Sequence, residues 1–253
     1  MGSKTNVLIL AGQRKGVIDP LCANAGIQWK ALLPVIGKPM IEYVLDALDQ
    51  SATAQSPYWI SGIDKGLVDA PLNQSPSAGG PASSVVVAAE DGIPYPFIVT
   101  TCDHALLTAE MVDHFVTEAD ASGVDFALGL AEKTTIQLAY PETKRTYLKF
   151  ADRSVSGCNL FYIRNARGLE AIRFWQSAQH DRKQPLKLAR RLGIGMLLKY
   201  ATGRLTLDNA FQHVSDKLGI SAKPVLMPFA EAAIDVDKPS DLILVESILS
   251  KEA

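Results

Sequence analysis

The chain has 253 residues, of which 47% are hydrophobic and 21% charged, with a formal net charge of -2 at pH 7. This balance is typical of a globular protein and excludes a disordered chain, because it provides enough apolar surface for a substantial core. The near-neutral charge gives no electrostatic reason to expect nucleic acid or a membrane surface as the main partner.

The cysteines and the N-terminus bear on the cellular compartment. Cys22, Cys102 and Cys158 are scattered and odd in number, with no C-x-x-C pair, so neither a disulfide framework nor a structural zinc site is expected. No apolar run reaches the length of a membrane span. The start MGSKTN lacks the apolar core of a signal peptide, and Asn6 stands where a myristoylation motif needs Ser or Thr. We expect a cytoplasmic protein.

The first half of the chain alternates between strand-like and helix-like segments. Residues 7–10 are all apolar, as in a strand that is buried on both faces. Ser83 or Ser84 is a plausible helix cap, although the β-branched residues 85–87 leave a strand as an alternative. The predicted segments are strands at 7–10, 58–60 and 96–101, helices at 40–48 and within 79–91, and a loop over 64–82.

The second half is richer in helices. Helical spacing of apolar residues is clearest after Pro239, where Leu242, Val245 and Leu249 would form one buried face. The predicted segments are a helix at 109–121, a strand at 124–131, short strand-like pieces within 133–164, three or four helices within 166–218, a strand within 220–229, an apolar piece at 232–236 and a final helix from 239.

The alternation of strands and helices predicts an α/β protein with a mostly parallel sheet covered on both faces. Ligands bind such sheets beyond the carboxyl ends of the strands. This rule places Gly12, Asp103 and Asp235 on one rim.

The loop after the first strand has the features of a phosphate-binding loop. It carries Gly12 and Gly16, whose backbone could approach an anion, together with the cations Arg14 and Lys15, and it ends at Lys30. Neither a P-loop nor a G-x-G-x-x-G motif is present. The alternative is an ordinary surface turn with solvated cations.

Aspartates follow two of the predicted strands. Asp103 comes directly after the strand at 96–101, where a carboxylate could hold Mg²⁺ together with substrate phosphates, or could cap the following turn. Asp235 and Asp237 would point the same way from a strand. Asp237 is close to the final helix and is expected to cap it, so Asp235 is the better second metal ligand.

A cationic cluster, DRKQPLKLARR, spans residues 181–191. One interpretation is a solvated helix face. The other is a phosphate clamp, or a patch that faces an acidic acceptor or lipid headgroups.

Six segments in this order resemble the nucleotidyltransferases, in particular the branch similar to molybdenum-cofactor guanylyltransferase. They cover most of residues 5–165 and 220–250 and read LILAGQRKG, WKALLPVIGKPMIEYVLDAL, GGPASSVVVAAE, FIVTTCDHALLT, SGCNLF and AIDVDKPSDL. The resemblance implies a Rossmann-like three-layer fold over a single domain, 1–253. It also implies Mg²⁺-dependent transfer of NMP from an NTP, with GTP or CTP favoured, to a small phosphorylated acceptor, releasing pyrophosphate.

The resemblance also assigns roles to residues. Arg14, Lys30 and Asp103 would be catalytic, Asp103 and Asp235 would hold Mg²⁺, and Asn159 would contact the acceptor. The expected nucleotide-binding residues are Ala11, Gly12, Gln13, Arg14, Lys15, Lys30, Gly80 and Pro81.

The sequence departs from the family pattern in several places. Gln13 directly follows Gly12, where the family has L-A-G-G or L-A-A-G-x-G, so Lys15 could take the role given to Arg14. Trp29 replaces the proline before Lys30, and residues 166–218 form a helical insertion expected to shape the acceptor site. The altered loop motivates a second hypothesis, a non-catalytic nucleotide-binding or regulatory paralogue. A third, a membrane-surface enzyme, depends only on the cationic cluster.

Overall fold

The structure, a computed structural model, describes residues 4–13, 16, 19–181 and 193–252. Its strands are β1 (Thr5–Leu10), β2 (Pro34–Val35), β3 (Lys38–Pro39), β4 (Ala54–Ser61), β5 (Leu72–Ser75), β6 (Phe97–Thr101), β7 (Phe126–Glu132), β8 (Leu148–Lys149), β9 (Ser154–Ile163) and β10 (Ala222–Met227).

The helices of the described residues alternate with these strands. They are α1 (Pro20–Ala25), α2 (Met40–Gln50), α3 (Pro81–Glu90), α4 (Ala109–Ala121), α5 (Lys133–Ala139), α6 (Leu169–Asp181), α7 (Ile194–Ala201), α8 (Leu207–Leu218) and α9 (Pro239–Glu252). Short 3₁₀ helices cover Lys30–Leu32, Lys65–Leu67 and Glu231–Ala233. None of the helices in the described part of the chain has the length and apolar character needed to cross a membrane.

The central sheet confirms the predicted α/β class. Its strands lie in the order β10-β7-β9-β6-β1-β4-β5, with β8 beside β9. The pairs β10–β7, β6–β1, β1–β4 and β4–β5 are parallel, whereas β9 runs antiparallel to both β6 and β7. The chain leaves β1 toward β4 and β5 and then returns to β6 on the other side of β1. The strand order therefore reverses between β1 and β6, where such sheets bind ligands.

Helices cover both faces of the sheet. Val7 and Ile9 of β1 pack in the cluster formed with α2, α4 and α5, whereas Leu8 and Leu10 pack in the cluster formed with α3 and α6. All four side chains are buried, which explains the unbroken apolar run, since successive residues of a strand point to opposite faces. This is the predicted Rossmann-like three-layer arrangement.

A third apolar cluster lies at one end of the sheet. Val245 and Ile248 of α9 pack with Ile234, Val236 and Leu106. The cluster holds the segment 234–238 against the residues that follow β6. It thereby brings Asp235 into the neighbourhood of Asp103.

The described parts of the predicted insertion, 166–218, pack in different ways. Helix α6 buries Leu169 and Ile172 in the cluster with α3, and Trp175 stacks on Phe161 with ring centroids 5.2 Å apart. In contrast, α7 exposes Ile194 and Leu198. Helix α6 is thus part of the second helical layer. The division of the chain into one domain with an insertion stays a prediction.

The local predictions for three stretches differ from the structure. The predicted loop over 64–82 contains the strand β5. The stretch 133–164 contains the predicted strand-like pieces, as β8 and β9, but also the helix α5. Ser84 does not cap α3, because the helix begins at Pro81 and the Ser84 hydroxyl instead accepts from the Ala78 N–H at 3.1 Å. The residues 85–87 are helical, which settles the alternative left open there.

Candidate active site

The carboxyl ends of β1 and β4 meet at a close backbone contact. The Ala11 N–H donates to Ser61 O at 2.8 Å. A Cβ on Gly62 would lie 2.2 Å from Gly12 Cα, and Gly62 has a φ of +103°. Only glycine fits there. Beside this contact, Trp29, Gln74 and Ser77 line an open cleft.

Gln13 ties the two ends of the first loop together. Its Nε2 donates to Gln28 O at 2.6 Å, and its Oε1 accepts from the Lys30 N–H at 3.3 Å. Both ends of the amide are therefore engaged inside the protein. The predicted contact of Gln13 with a nucleotide stays a prediction, but the side chain already has a structural task. Arg14 and Lys15 lie outside the described residues, as does almost all of the cationic cluster 181–191.

Lys30 bridges two carboxylates at the head of a 3₁₀ helix. Its Nζ donates to Asp103 Oδ2 at 2.7 Å and to Asp237 Oδ1 at 2.9 Å, and its side chain is 15% exposed. Burial alone would lower the pKa of Lys30, but the two carboxylates, Asp103 foremost, outweigh burial and raise it. Lys30 is therefore a permanent cation at neutral pH and cannot act as a general base.

Asp103 sits immediately beyond β6, as predicted. The Cys102 N–H donates to Leu10 O at 3.0 Å, so the β1–β6 pairing continues up to this residue. One carboxylate oxygen binds Lys30, whereas the other, Oδ1, is buried and has no hydrogen-bond partner. A buried carboxylate oxygen without a protein partner is costly unless a water molecule or an ion binds it.

A backbone hydrogen bond joins Asp103 to the segment that carries Asp235. The Val236 N–H donates to Asp103 O at 2.9 Å. The pKa of Asp235 is raised by burial and by repulsion from Asp237 and Asp103, although Arg145 opposes the shift. The predicted pair of aspartates therefore does come together at this edge.

Asp237 has a different partner from the one expected. Its carboxylate pairs with Lys30 instead of capping the final helix, and its side chain is 65% exposed. The first turn of α9 is tied differently, since Asp241 Oδ2 accepts from the Asp237 N–H at 3.2 Å. Asp237 is thus a third carboxylate of the site.

Two further side chains hold the Asp235 carboxylate. Arg145 Nη1 donates to Asp235 Oδ1 at 2.7 Å, and Asn159 Nδ2 donates to Asp235 Oδ2 at 3.1 Å. Sequence analysis missed Arg145, which belongs to an irregular segment without any motif. In the sequence, Arg145 is marked only by its positive charge in a stretch between two predicted elements.

Asn159 reaches Asp235 from a bulge in β9. The pairing of β7 with β9 shifts between Leu128 and Leu130, and Asn159 has a φ of +52°. Asn tolerates this left-handed conformation better than most residues. The bulge re-aims the side chain toward Asp235, and the predicted contact of Asn159 with an acceptor stays a prediction.

Gly80 and Pro81 open α3 at the same edge of the sheet, after β5. Gly80 is the residue before the first turn, and the Ser84 N–H donates to its carbonyl at 2.9 Å. The hydroxyl of Ser77, three residues earlier, lies 3.7 Å from the position of a Cβ on Gly12. Ser77 therefore places the segment that leads to Gly80 beside Gly12.

His104 has a structural role. It is buried, and its Nε2 lies 3.3 Å from Glu231 O. Burial lowers the pKa of His104 to about 4, so the imidazole is neutral at neutral pH.

Solved structures with the same fold include several transferases. A hypothetical transferase from Thermus thermophilus aligns with a TM-score of 0.80 and 31% identity, covering 94% of this chain and 99% of that chain. A CMP-2-keto-3-deoxy-manno-octonic acid synthetase in complex with CTP aligns with a TM-score of 0.60 and 15% identity, covering 99% and 100%. The molybdopterin-guanine dinucleotide biosynthesis protein A of Archaeoglobus fulgidus aligns with a TM-score of 0.53 and 15% identity, covering 98% and 100%.

The fold and the edge occupied by Lys30 and Asp103 define a protein of the nucleotidyltransferase class. Within that class, a model of the MobA-like NTP transferase domain matches residues 8–201. The chain belongs to this family, which confirms the resemblance read from the sequence. No curated protein sequence matches the chain.

Proposed function

We propose that this nucleotidyltransferase moves NMP from an NTP to a small phosphorylated acceptor and releases pyrophosphate, with Mg²⁺ held by Asp103 and Asp235. One observation carries the proposal. Lys30 and Asp103 are joined at 2.7 Å at the point where the strand order reverses, and Asp103 keeps one buried oxygen without a partner.

The residues present fit a divalent cation. Among the described residues, no three His, Cys, Asp or Glu side chains converge to form a complete metal site. Mg²⁺ does not need one, since it is usually bound through one or two carboxylates plus substrate phosphates and water. Asp103 Oδ1 would be one ligand and Asp235 the second. When bound, Mg²⁺ would neutralise the charge that develops on the phosphates.

The transfer requires no activated protein nucleophile. A phosphate oxygen of the acceptor would attack the α-phosphorus, the bond from this phosphorus to the bridging oxygen would break, and its electron pair would leave with pyrophosphate. No proton has to be removed from an ionised phosphate. The protein's task is in-line positioning and charge neutralisation.

Lys30 suits that task because it is a buried, permanent cation beside Asp103. The cost of its burial is already offset by two carboxylates, so the ammonium is held in place before a substrate arrives. Arg14 or Lys15 would add charge from the first loop.

The nucleotide would lie across Ala11, Gly12 and the start of α3 at Gly80 and Pro81. GTP and CTP are the favoured nucleotides. Relatives of the same fold are named for each: one for a guanine dinucleotide, another for its complex with CTP. The acceptor would lie on the side of Asn159.

The test compares thermal stability and pyrophosphate release with each NTP, in wild type and Asp103→Ala. An NTP that binds raises the melting temperature by mass action. We expect one NTP to raise the melting temperature of the wild type in the presence of Mg²⁺, and we expect no such rise in Asp103→Ala. Asp69→Ala, at an exposed aspartate, is the matched control. Pyrophosphate release is then measured against a panel of phosphorylated acceptors.

Two outcomes would contradict the proposal. If no NTP stabilises the wild type, the phosphate-binding role of the first loop is wrong. If an NTP binds equally well to Asp103→Ala and no acceptor yields pyrophosphate, the regulatory paralogue is the better description.

A further inference from the structure

A buried arginine enters the site from an irregular segment. Arg145 lies between α5 and β8, and its side chain is 8% exposed although its neighbours Lys144 and Thr146 are exposed. Burying a guanidinium is expensive unless it is paired and hydrogen-bonded. The partners that Arg145 has are therefore the reason for its position.

Those partners are two aspartates of a single segment. Arg145 Nη1 lies 2.7 Å from Asp235 Oδ1, and Nη2 lies 3.4 Å from Asp241 Oδ1. Both Nη atoms also lie 3.4 Å from Asp235 O. The guanidinium thus holds the main chain as well as the carboxylate of Asp235, and it links that residue to the first turn of α9.

The second oxygen of Asp235 is held from the opposite side. Asn159 Nδ2 donates to Oδ2 at 3.1 Å. A carboxylate has about four lone-pair positions, two on each oxygen, so the hydrogen bonds from Arg145 and Asn159 do not use all of them. The Asp235 side chain is thus held in place and can still bind a cation.

The charges explain why such a clamp is needed. Asp235 is repelled by Asp237 and Asp103, and Lys30 pairs with those two aspartates and not with Asp235. Arg145 is the cation that compensates Asp235. Without it, the carboxylate would be free to turn away from Asp103.

We propose that Arg145 is a positioning residue for the divalent cation: together with Asn159 it fixes the Asp235 carboxylate in the orientation that binds metal beside Asp103. The inference depends on the metal site of the proposed function. Partners that orient a ligand in this way often matter nearly as much as the ligand itself.

The experiment measures Mn²⁺ binding directly by the loss of the free-ion EPR signal, with no substrate and no turnover. Mn²⁺ takes the same oxygen ligands as Mg²⁺. We expect Arg145→Gln to weaken Mn²⁺ affinity by about 10- to 100-fold and Arg145→Lys to give a smaller loss, because lysine keeps the charge but not the two-armed geometry. Arg153→Gln, which removes an arginine paired with Glu132 and Asp152, is the matched control.

The outcomes separate this inference from the proposed function. Wild type that binds no Mn²⁺, or binds it as Asp103→Ala does, would overturn the inference, because Asp235 and Asp103 would then not be a preformed cation site, whereas the proposed function, in which substrate phosphates also bind the cation, is tested by the NTP experiment. Asp103-dependent binding that is unchanged in a folded Arg145→Gln variant would overturn the inference alone. Tighter binding in that variant would mean that Arg145 competes with the metal. If Arg145→Gln does not fold, Arg145→Lys decides, and wild-type affinity in that variant would overturn the proposal.

Discussion

Two sets of buried or half-buried aspartates in this protein have different surroundings. Asp113 accepts from the Ser51 hydroxyl at 2.6 Å, the Thr53 hydroxyl at 2.7 Å and the Ala52 N–H at 3.1 Å. Asp125 accepts from the Ser221 N–H and hydroxyl at 2.8 and 2.9 Å. At the candidate site, by contrast, Asp103 has an oxygen without a partner and Asp235 faces other carboxylates.

The pKa values follow this difference. Burial would raise the pKa of Asp113 and of Asp125, but hydrogen bonds to Ser51 and Thr53, and to Ser221 and Asn165, outweigh it and lower both values. The pKa of Asp235 is raised instead. The first set fastens loops to the sheet and stabilises the fold. In the second set, repulsion between carboxylates and an oxygen without a protein partner oppose stability, as is expected of residues that bind a ligand.

The largest expected effect is on turnover and follows from removing Lys30, the cation that pairs with two aspartates of the site. Lys30→Met keeps the length of the side chain and removes the cation between Asp103 and Asp237. We expect turnover to fall by about 10²- to 10³-fold, the usual loss when one charge-stabilising group is removed. The measurement is the rate of pyrophosphate release at saturating NTP and acceptor.

Lys38→Met is the matched control for that variant. Lys38 also pairs with an aspartate, Asp46, and its Nζ lies 4.6 Å from the centre of the Tyr43 ring. The ion pairs of Asp103, Asp237 and Asp235 are made by Lys30 and Arg145 instead. Its loss should leave the rate unchanged. If Lys30→Met lowered only stability and kept full turnover, the site aspartates would be structural and the contrast between the two sets would not hold.

Part of the candidate site was visible in the sequence. The apolar run of β1 and the aspartate directly after β6 are local patterns, and the carboxyl-end rule turns them into a common location. Gly12, Asp103 and Asp235 were therefore predicted to lie at one edge, and they do. Arg145 could not be predicted in the same way, because its partner is 90 residues away in sequence and its own segment has no periodicity.

The local errors have physical causes as well. The strand β5 (LNQS) has no apolar run, and it forms because β4 offers a parallel edge for it. The helix α5 contains two threonines, Thr134 and Thr135, whose β-branched side chains favour strands. Asp237 has the spacing of a helix cap, and only the tertiary fold brings the Lys30 ammonium within 2.9 Å of it.

The next prediction concerns the stability contributed by Asp125, one of the hydrogen-bonded aspartates. Asp125→Asn removes a charged acceptor of several hydrogen bonds, and we expect a loss of about 1–3 kcal/mol in the free energy of unfolding at neutral pH. The folded-state pKa of Asp125 lies below its ordinary value of 3.8, so the stabilisation is present above pH 3.8 and is lost as the pH falls below it. The difference between wild type and variant should therefore narrow in acid.

Urea denaturation at neutral pH and below pH 3.8 measures this difference, with Asp69→Asn as the exposed control. Turnover should be unchanged in Asp125→Asn. A difference that is constant across this range would show that the charge of Asp125 contributes nothing and that only its shape matters.

The smallest predicted effect concerns Gln13. Its side chain lies at the candidate site, but its amide is hydrogen-bonded within the protein, as the carboxylates of Asp113 and Asp125 are. Gln13→Met has a similar shape and loses the hydrogen bonds to Gln28 and Lys30. We expect turnover to fall about fivefold with little change in the KM for the NTP, since a lost hydrogen bond is worth about 1 kcal/mol and the loosened group is Lys30.

Combining the two variants identifies how Gln13 acts. If it works through Lys30, adding Gln13→Met to Lys30→Met has no further effect on the rate, because the group that it positions is already gone. If the amide instead contacts the nucleotide, the single variant raises KM, and the rise persists in the Lys30→Met background. That second result would assign Gln13 to the ligand-binding residues, as the family resemblance implies, and would mean that the hydrogen bonds to Gln28 and Lys30 break when the NTP binds.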